Sequence, residues 1–374
     1  MSVSRISALG AIALSGALAL SACASENTST TSPAGSGTAA SSACAADCFT
    51  GDLKAEGSSA QKNAIDEAIS VFQNVCTDAN IDYQPTGSGA GIKQFIAKQV
   101  DFAGSDSALK TEEKDGAIES EDAAKACASP AWNLPMVTGP IAIAYNVAGV
   151  DKLVLNADVA AKIFDGKIAA WNDPAIAALN SGVTLPATPI KVFFRSDESG
   201  TTENFTKYLK AAAPEAWSYE TGKKWTGKGE GKEKSAGVAT ATKGQEGGIT
   251  YVELSYAEQN SLKMAAIDSG SGPVELTAES AGKTVATAEQ TGSGNDLALK
   301  IDYATKEAGA YPIVLVTYEI VCSKYPDAET GKKVKAFLKT FSSDAVQGAL
   351  GEQGYAPLPA EVATKVKTAV DAIS

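Results

Sequence analysis

The chain is expected to fold as an α/β protein, a mainly parallel sheet covered by helices. Two observations carry this expectation. Apolar residues alternate along the chain between short strand-like runs and the 3.6-residue stripes of helices. Loops rich in Gly, Ser and Thr recur between a strand and the helix that follows it. With 374 residues there is material for roughly two domains of about 150 residues, or for one large two-lobed unit. In such sheets ligands sit beyond the carboxyl ends of the strands.

The first strand is expected at residues 49–54. It leads through Ala55-Glu56-Gly57-Ser58-Ser59 into a helix that carries Ile65, Ile69, Phe72 and Cys76 on one stripe. A second strand, 81–84, runs into Gly87-Ser88-Gly89-Ala90-Gly91 and a helix over 92–99. A third, 100–103, stops at Gly104-Ser105-Asp106. Residues 141–146 read as an apolar strand. Residues 190–194 form another, followed by the loop from Arg195 to Thr202 and a helix through Phe205 and Leu209. Residues 221–248, rich in Gly and Lys, read as a long surface excursion. Strands return at 249–252 and 313–321, and a last helix covers 332–341.

Ahead of the fold, Arg5 and the apolar stretch 8–20 have the make-up of an export signal too short to span a bilayer. The stretch ends in Leu20-Ser21-Ala22-Cys23, which resembles the lipobox of bacterial lipoproteins. Residues 1–22 are therefore expected to be removed and Cys23 to be lipidated, with plain secretory cleavage near Ala22 as the alternative. Residues 23–47 are dominated by Ser, Thr, Gly and Ala and cannot bury enough surface to offset their ordering entropy, so a flexible tether is expected there. Later stretches stay short of the ~18 consecutive apolar residues of a membrane helix. The exported part is thus expected to be held at the bacterial cell membrane by acyl chains. Cys44, Cys48, Cys76, Cys127 and Cys322 remain, and thiols outside the cytoplasm tend to pair. Five is odd, so at most two bridges form, with connectivity left open.

Lys plus Arg number 32 against 44 for Asp plus Glu, a net charge of −12, which argues against a nucleic-acid partner. The chain has no histidine. That excludes Ser-His-Asp and Cys-His nucleophile systems, H-E-x-x-H zinc sites and a histidine pH switch. No cofactor is expected either. The Gly87 loop fails the dinucleotide fingerprint because Ile92 stands where the third Gly is needed, and Gly282-Lys283-Thr284 has Thr277 in place of the first P-loop Gly. Ser107-Ala108-Leu109-Lys110 matches S-x-x-K, but the companion S-D-N and K-T-G elements are missing. Cys44-x-x-x-Cys48 would be half a zinc site with no second ligand pair, so no metal is expected and disulfides account better for these cysteines.

Four loops share one position, after a strand and near a helix start: Gly57-Ser58-Ser59, the Gly87–Gly91 loop, Ser105-Asp106 and the Arg195–Thr202 loop. Unpaired helical N–H groups, nearby hydroxyls and the positive end of a helix dipole suit an oxyanion. Ordinary capping would account for any one of them; their number, with an Arg and an Asp in matching positions, points to a site. Arg195 with Ser199, Gly200 and Thr201 resembles a phosphate or carboxylate clamp, with Asp197 placed to hold the guanidinium fork. Asp106 would repel a fully ionised anion and accept a hydrogen bond from a protonated one, which selects phosphate over sulfate.

Thr86-Gly-Ser-Gly-Ala-Gly-Ile-Lys-Gln-Phe95, Val100-Asp-Phe-Ala-Gly-Ser-Asp106 and Arg195-Ser-Asp-Glu-Ser-Gly-Thr201 together resemble the PstS family, the phosphate-binding proteins of phosphate-specific ABC importers. Ile163-Phe-Asp-Gly-Lys-Ile168 with Trp171-Asn-Asp173, Gly248-Ile-Thr-Tyr-Val-Glu253 and Gly354-Tyr-Ala-Pro-Leu-Pro359 extend the likeness from about residue 49 to the end. The resemblance implies a two-lobed, type II periplasmic-binding-protein-like fold joined by crossing strands, with 48–140 and 312–374 as one lobe and 141–311 as the other. It implies phosphate ligands at Ser59, Ala60, Ser88, Asp106, Arg195, Ser199, Gly200 and Thr201, with Asp197 in support and no catalytic residues. The first loop departs from the pattern: the family often has Thr then an aromatic, and this chain has Ser59 then Ala60. The function implied is a lipid-anchored receptor delivering inorganic phosphate to the membrane permease and ATPase subunits of an importer. The alternatives are an exported phosphoester-cleaving enzyme, or a receptor for another oxyanion such as sulfate.

Overall fold

A computed structural model describes residues 47–113 and 116–374. The expected leader, the lipidated Cys23, the tether up to residue 46 and Cys44 lie outside them. Among the described residues a nine-stranded sheet runs through the protein. In chain order its strands are β1 (Gly51–Gly57), β2 (Ala79–Gln84), β3 (Phe102–Ser105), β4 (Ala131–Asn146), β5 (Lys191–Arg195), β6 (Glu230–Lys232), β7 (Gly248–Glu253), β8 (Lys263–Met264) and β9 (Val314–Cys322). They lie in the order β2-β1-β3-β9-β4-β7-β5-β6, with β8 paired to β4.

Each flank of the sheet is parallel. β1 pairs in parallel with β2 and β3, and β5 with β6 and β7. Between the flanks the crossing strands are antiparallel: residues 131–140 of β4 pair with β9, and from Ile141 onward β4 pairs with β7. One strand of 16 residues, about 50 Å at ~3.3 Å per residue, therefore serves both lobes. Two apolar cores flank the crossover. The first gathers Leu53, Ile65, Phe72, Phe102, Phe337 and Phe341; the second gathers Tyr145, Phe164, Trp171, Phe205, Trp217 and Tyr251. This is the two-lobed α/β arrangement with crossing strands.

Helix α1 (Lys62–Val75) turns Ile65, Ala68 and Phe72 into the first core, as its stripe requires. Two disulfides brace the same lobe, Cys48–Cys76 at the end of α1 and Cys127–Cys322 at the end of β9. No described helix is long and apolar enough to cross a membrane.

Three differences from the expected elements have physical causes. β1 runs on to Gly57, which carries it into the site. β4 starts at Ala131, ten residues before the apolar run that marks it, since Pro135, Gly139 and Pro140 disguise its first half. Its pairing with β9 shifts register between Thr317 and Tyr318, opposite Pro135–Val137, and that bulge accommodates the proline. The supposed surface excursion at 221–248 is a correction: it contains β6 and helix α4 (Lys234–Gly244), with Ser235, Val238, Ala239 and Thr242 buried. The buried face of α4 is made of small residues, so it leaves almost no apolar period to read.

Candidate functional site

The carboxyl ends of β1, β3, β5 and β7 converge, and tight backbone approach brings their loops together. Gly57 sits at φ +144°, where a Cβ would fall 2.0 Å from the carbonyl oxygen of Gly104. Ser58 N–H donates to that carbonyl at 2.8 Å, and Gly87 N–H donates to Gly57 O at 2.7 Å. Only glycine at 57 allows the three loops to interlock this closely.

Asp106 anchors one half of the site and is 3% exposed. Its Oδ1 accepts Ser58 Oγ at 2.5 Å and Thr317 Oγ1 at 2.8 Å, and its Oδ2 accepts Ser88 Oγ at 3.1 Å. Ser88 Oγ in turn accepts the backbone N–H groups of Asp106 and Gly200, at 3.1 and 3.2 Å. Ser88 opens helix α2 (Ser88–Ile96) and Gly200 opens helix α3 (Gly200–Ala212), so two helix N-termini meet at this carboxylate. Ala60 N–H reaches Ser58 Oγ at 3.0 Å. Burial, with the charge of Glu253 adding, pushes Asp106 up to about 6, against the hydroxyls of Ser58 and Thr317 and the Arg195 charge.

Arg195 anchors the other half and is 2% exposed. Its Nε donates to Asp197 Oδ1 at 2.7 Å and its Nη2 pairs with Oδ2, a bidentate fork. The remaining Nη1 reaches Ser235 Oγ at 3.1 Å and Thr201 Oγ1 at 3.4 Å. Burial works against the charges of this pair, but each partner outweighs it: Arg195 is held above its ordinary range and Asp197 below. Beneath the pair, Tyr251 OH accepts Arg195 N–H at 3.1 Å, and the Tyr251 ring stacks on Phe205 at 4.6 Å in the second core. Asp197 also takes the N–H of Lys234 at 2.9 Å, which seats the start of α4.

Each residue expected from the sequence to contact the anion lies in this buried web or borders it. Ser59 Oγ meets Ser235 Oγ at 3.0 Å, and Ser199 caps α3 by accepting Thr202 N–H at 3.2 Å. Thr201 donates to Glu253 Oε1 at 2.5 Å. The sequence reading missed Ser235, Thr317 and Glu253 as members. Ser235 hid in the presumed excursion and Thr317 inside an apolar crossing strand; Glu253 closes the Gly248–Glu253 motif, which was its one available signal. Segments from the two sides also join around the web. Buried Glu203 on α3 meets Lys110, Lys207 at 2.8 Å and Ser107 Oγ at 2.9 Å, while Lys93 pairs with Glu198 at 2.6 Å.

A family model described as a PBP superfamily domain matches residues 26–345. Phosphate-binding protein PstS 3 of Mycobacterium tuberculosis is 46% identical over 380 residues, covering 100% of both chains. Its PstS 2 is 44% identical over 379 residues with the same coverage. This chain belongs to the PstS family. A solved structure named as a phosphate binding protein from Stenotrophomonas maltophilia shares the fold, with a TM-score of 0.67 at 19% identity over 85% of this chain and 94% of that one.

In this PstS chain Ala60, where the family often has an aromatic, packs among the residues of the second core. Tyr355 OH donates to Ala60 O at 2.8 Å and Tyr256 OH to Ser59 O at 3.0 Å, so tyrosines from two other segments support the loop.

Behind Asp106, Glu319 on β9 is fully buried, and neither of its oxygens has a hydrogen-bond partner among the described residues. Burial, with the Asp106 charge adding, pushes its carboxyl up to about 8 from an ordinary 4.5, against the nearby Gln61 amide. In that window the folded chain holds a proton that the unfolded chain has lost. The stabilisation is therefore complete below about 4.5 and drains away as pH rises to about 8. Glu319→Gln, neutral throughout, is expected to exceed the wild-type Tm by a margin that grows from pH 5 to pH 8 and then levels. Thermal unfolding at pH 5, 7 and 9 checks this, and a constant margin counts against it.

Proposed function

We propose that this chain is an extracytoplasmic receptor that captures one inorganic phosphate between its lobes and presents it to the permease and ATPase subunits of a phosphate ABC importer, without catalysing a reaction. In this reading residues 48–140 with 312–374 form one lobe and 141–311 the other, and closure between them sequesters the ion. Lipidation at Cys23 tethers the receptor to the bacterial cell membrane. The observation that carries the reading is the meeting of a buried guanidinium, two helix N-termini and one carboxylate at the strand ends. Ser59, Ala60, Ser88, Ser199, Gly200 and Thr201 would surround the anion, Arg195 would bind it with Asp197 holding the fork, and Asp106 would accept its proton. The family membership and the relatives named as phosphate-binding proteins support the same assignment.

Calorimetric titration of the full chain with phosphate tests the proposal, and absence of binding refutes it. Excess sulfate is expected to disturb the isotherm little. An asparagine at 106 would offer an N–H that suits a fully ionised oxyanion, so Asp106→Asn is expected to narrow the preference for phosphate over sulfate by about 100-fold. Unchanged relative affinities would remove the proton-reading role from Asp106.

A further inference from the structure

The Ser107-Ala108-Leu109-Lys110 run, which matches S-x-x-K without its companion elements, converges on one carboxylate. In the lobe division proposed above, that carboxylate belongs to the opposite lobe. Glu203 lies in the first turn of α3, three residues after Gly200, and is 1% exposed. Its Oε2 takes the hydroxyl of Ser107 at 2.9 Å, and its Oε1 pairs with Lys110. From its own lobe, Lys207 reaches Oε1 at 2.8 Å and Lys223 lies 3.9 Å from Oε2. Burial would raise this carboxyl, but the charges of Lys207, Lys110 and Lys223 outweigh it and hold the group well below the ordinary range, so it is ionised.

A second carboxylate completes the arrangement. Glu119 Oε2 accepts Lys110 N–H at 3.0 Å, and Glu119 Oε1 accepts Lys223 Nζ at 3.0 Å. Lys110, Glu119, Lys223 and Glu203 thus form a ring that crosses between the lobes twice. The ring is joined to the anion seat on both sides. Ser107 follows Asp106, Asn204 Nδ2 donates to Asp106 O at 2.7 Å, and Ser199 N–H donates to Lys223 O at 2.9 Å. Lys93 and Glu198 also pair across the lobes, at 2.6 Å, but that lysine is 68% exposed and its charge is screened by water.

With the cleft open, Glu203 would keep Lys207 and Lys223, so no buried charge is stranded. Closure adds Lys110 and Ser107. Contacts made in one state and not in the other are what shift a two-state equilibrium. Resting on the phosphate-receptor reading above, we infer that Glu203, Lys110, Glu119 and Lys223 form a latch that holds the closed receptor shut and sets how fast phosphate leaves, with little effect on how fast it is captured. These four are positioning residues, since none of them is assigned to the anion itself.

The test separates release from capture. The full chain is loaded with radiolabelled phosphate and chased with excess unlabelled phosphate, which gives the release rate. Calorimetry gives Kd, and the quotient of the two gives the capture rate. Lys110→Gln removes one cation from the crossing and leaves Glu203 with its own two lysines. It is expected to speed release about tenfold, with capture within about twofold of wild type and an unchanged Tm for the phosphate-free chain. Glu119→Gln opens the ring at its other crossing and is expected to speed release about threefold; it decides the matter should Lys110→Gln fail to fold. Lys210→Gln is the charge control: Lys210 lies on α3 and pairs with Glu220, so its release rate should match wild type. Wild-type release rates in Lys110→Gln and Glu119→Gln overturn the latch and leave the receptor reading standing. Equal acceleration in Lys210→Gln, or a loss of affinity carried by slower capture, also overturns the latch. No phosphate binding by wild type overturns both.

Discussion

Arg195→Met is expected to weaken phosphate binding at least a thousand-fold, about 4 kcal/mol, when titrated beside wild type. Among the described residues the guanidinium is the one cation hydrogen-bonded to Ser235 and Thr201, and Asp197 already occupies two of its nitrogens, leaving Nη1 for these hydroxyls and the guest. Methionine fills a similar volume but leaves the half-buried Asp197 without its countercharge, beside the buried Asp106 and Glu253. Removing one member of a buried pair costs about 3–5 kcal/mol, so a lower Tm is expected as well. Arg195→Lys separates the two effects. It retains a charge without the planar fork, so it should recover much of the stability and little of the affinity. Wild-type-like affinity in Arg195→Met would place the anion elsewhere in the molecule.

A single methyl group at position 200 is expected to be nearly as damaging. A Cβ on Gly200 would sit 2.5 Å from Asp106 Cβ, 2.6 Å from Ser88 Oγ and 2.7 Å from Asp106 Oδ2. Cβ atoms essentially never approach one another so closely, and Asp106 Cβ is fixed to its own backbone, so the start of α3 must move away. That movement breaks the Gly200 N–H contact to Ser88 at 3.2 Å and displaces Ser199 and Thr201 with it. Loss of at least about 100-fold in phosphate affinity is expected for Gly200→Ala, since small misplacements of positioned groups are costly. Gly282→Ala is the matched control. Gly282 lies in the helix Ala278–Ala286 with nothing within 4 Å of its would-be Cβ, so alanine there should keep affinity and add about 0.5–1 kcal/mol of stability. Equal affinities in the two variants would remove the steric argument.

Much of this architecture was readable before any coordinates, for reasons tied to particular residues. Ile65 and Phe72 lie on one helical stripe because α1 must cover a sheet, and the run at 249–252 is apolar because both faces of β7 are covered. The loops of the buried web were legible because close backbone approach and exposed helix starts demand Gly, Ser and Thr, a local requirement that leaves a local trace. Elements whose burial depends on distant neighbours left none. α4 packs through Ser, Ala and Thr, and the first half of β4 carries two prolines, one of them opposite a bulge in the partner strand.

The same division runs through the site. Arg195, Asp197, Ser199, Gly200 and Thr201 are neighbours along the chain, so their cooperation could be inferred from spacing alone. Ser235, Glu253 and Thr317 reach the web from α4, β7 and β9; the Gly248–Glu253 motif marks Glu253, and nothing in the immediate sequence of the other two announces a partner. Which way a hydroxyl points is set by the group opposite it. For Thr201 that group lies 52 residues further along the chain, and for Ser88 it lies 18. Residue type determines what each group is able to donate or accept; folding brings the partner that settles which of the two it does.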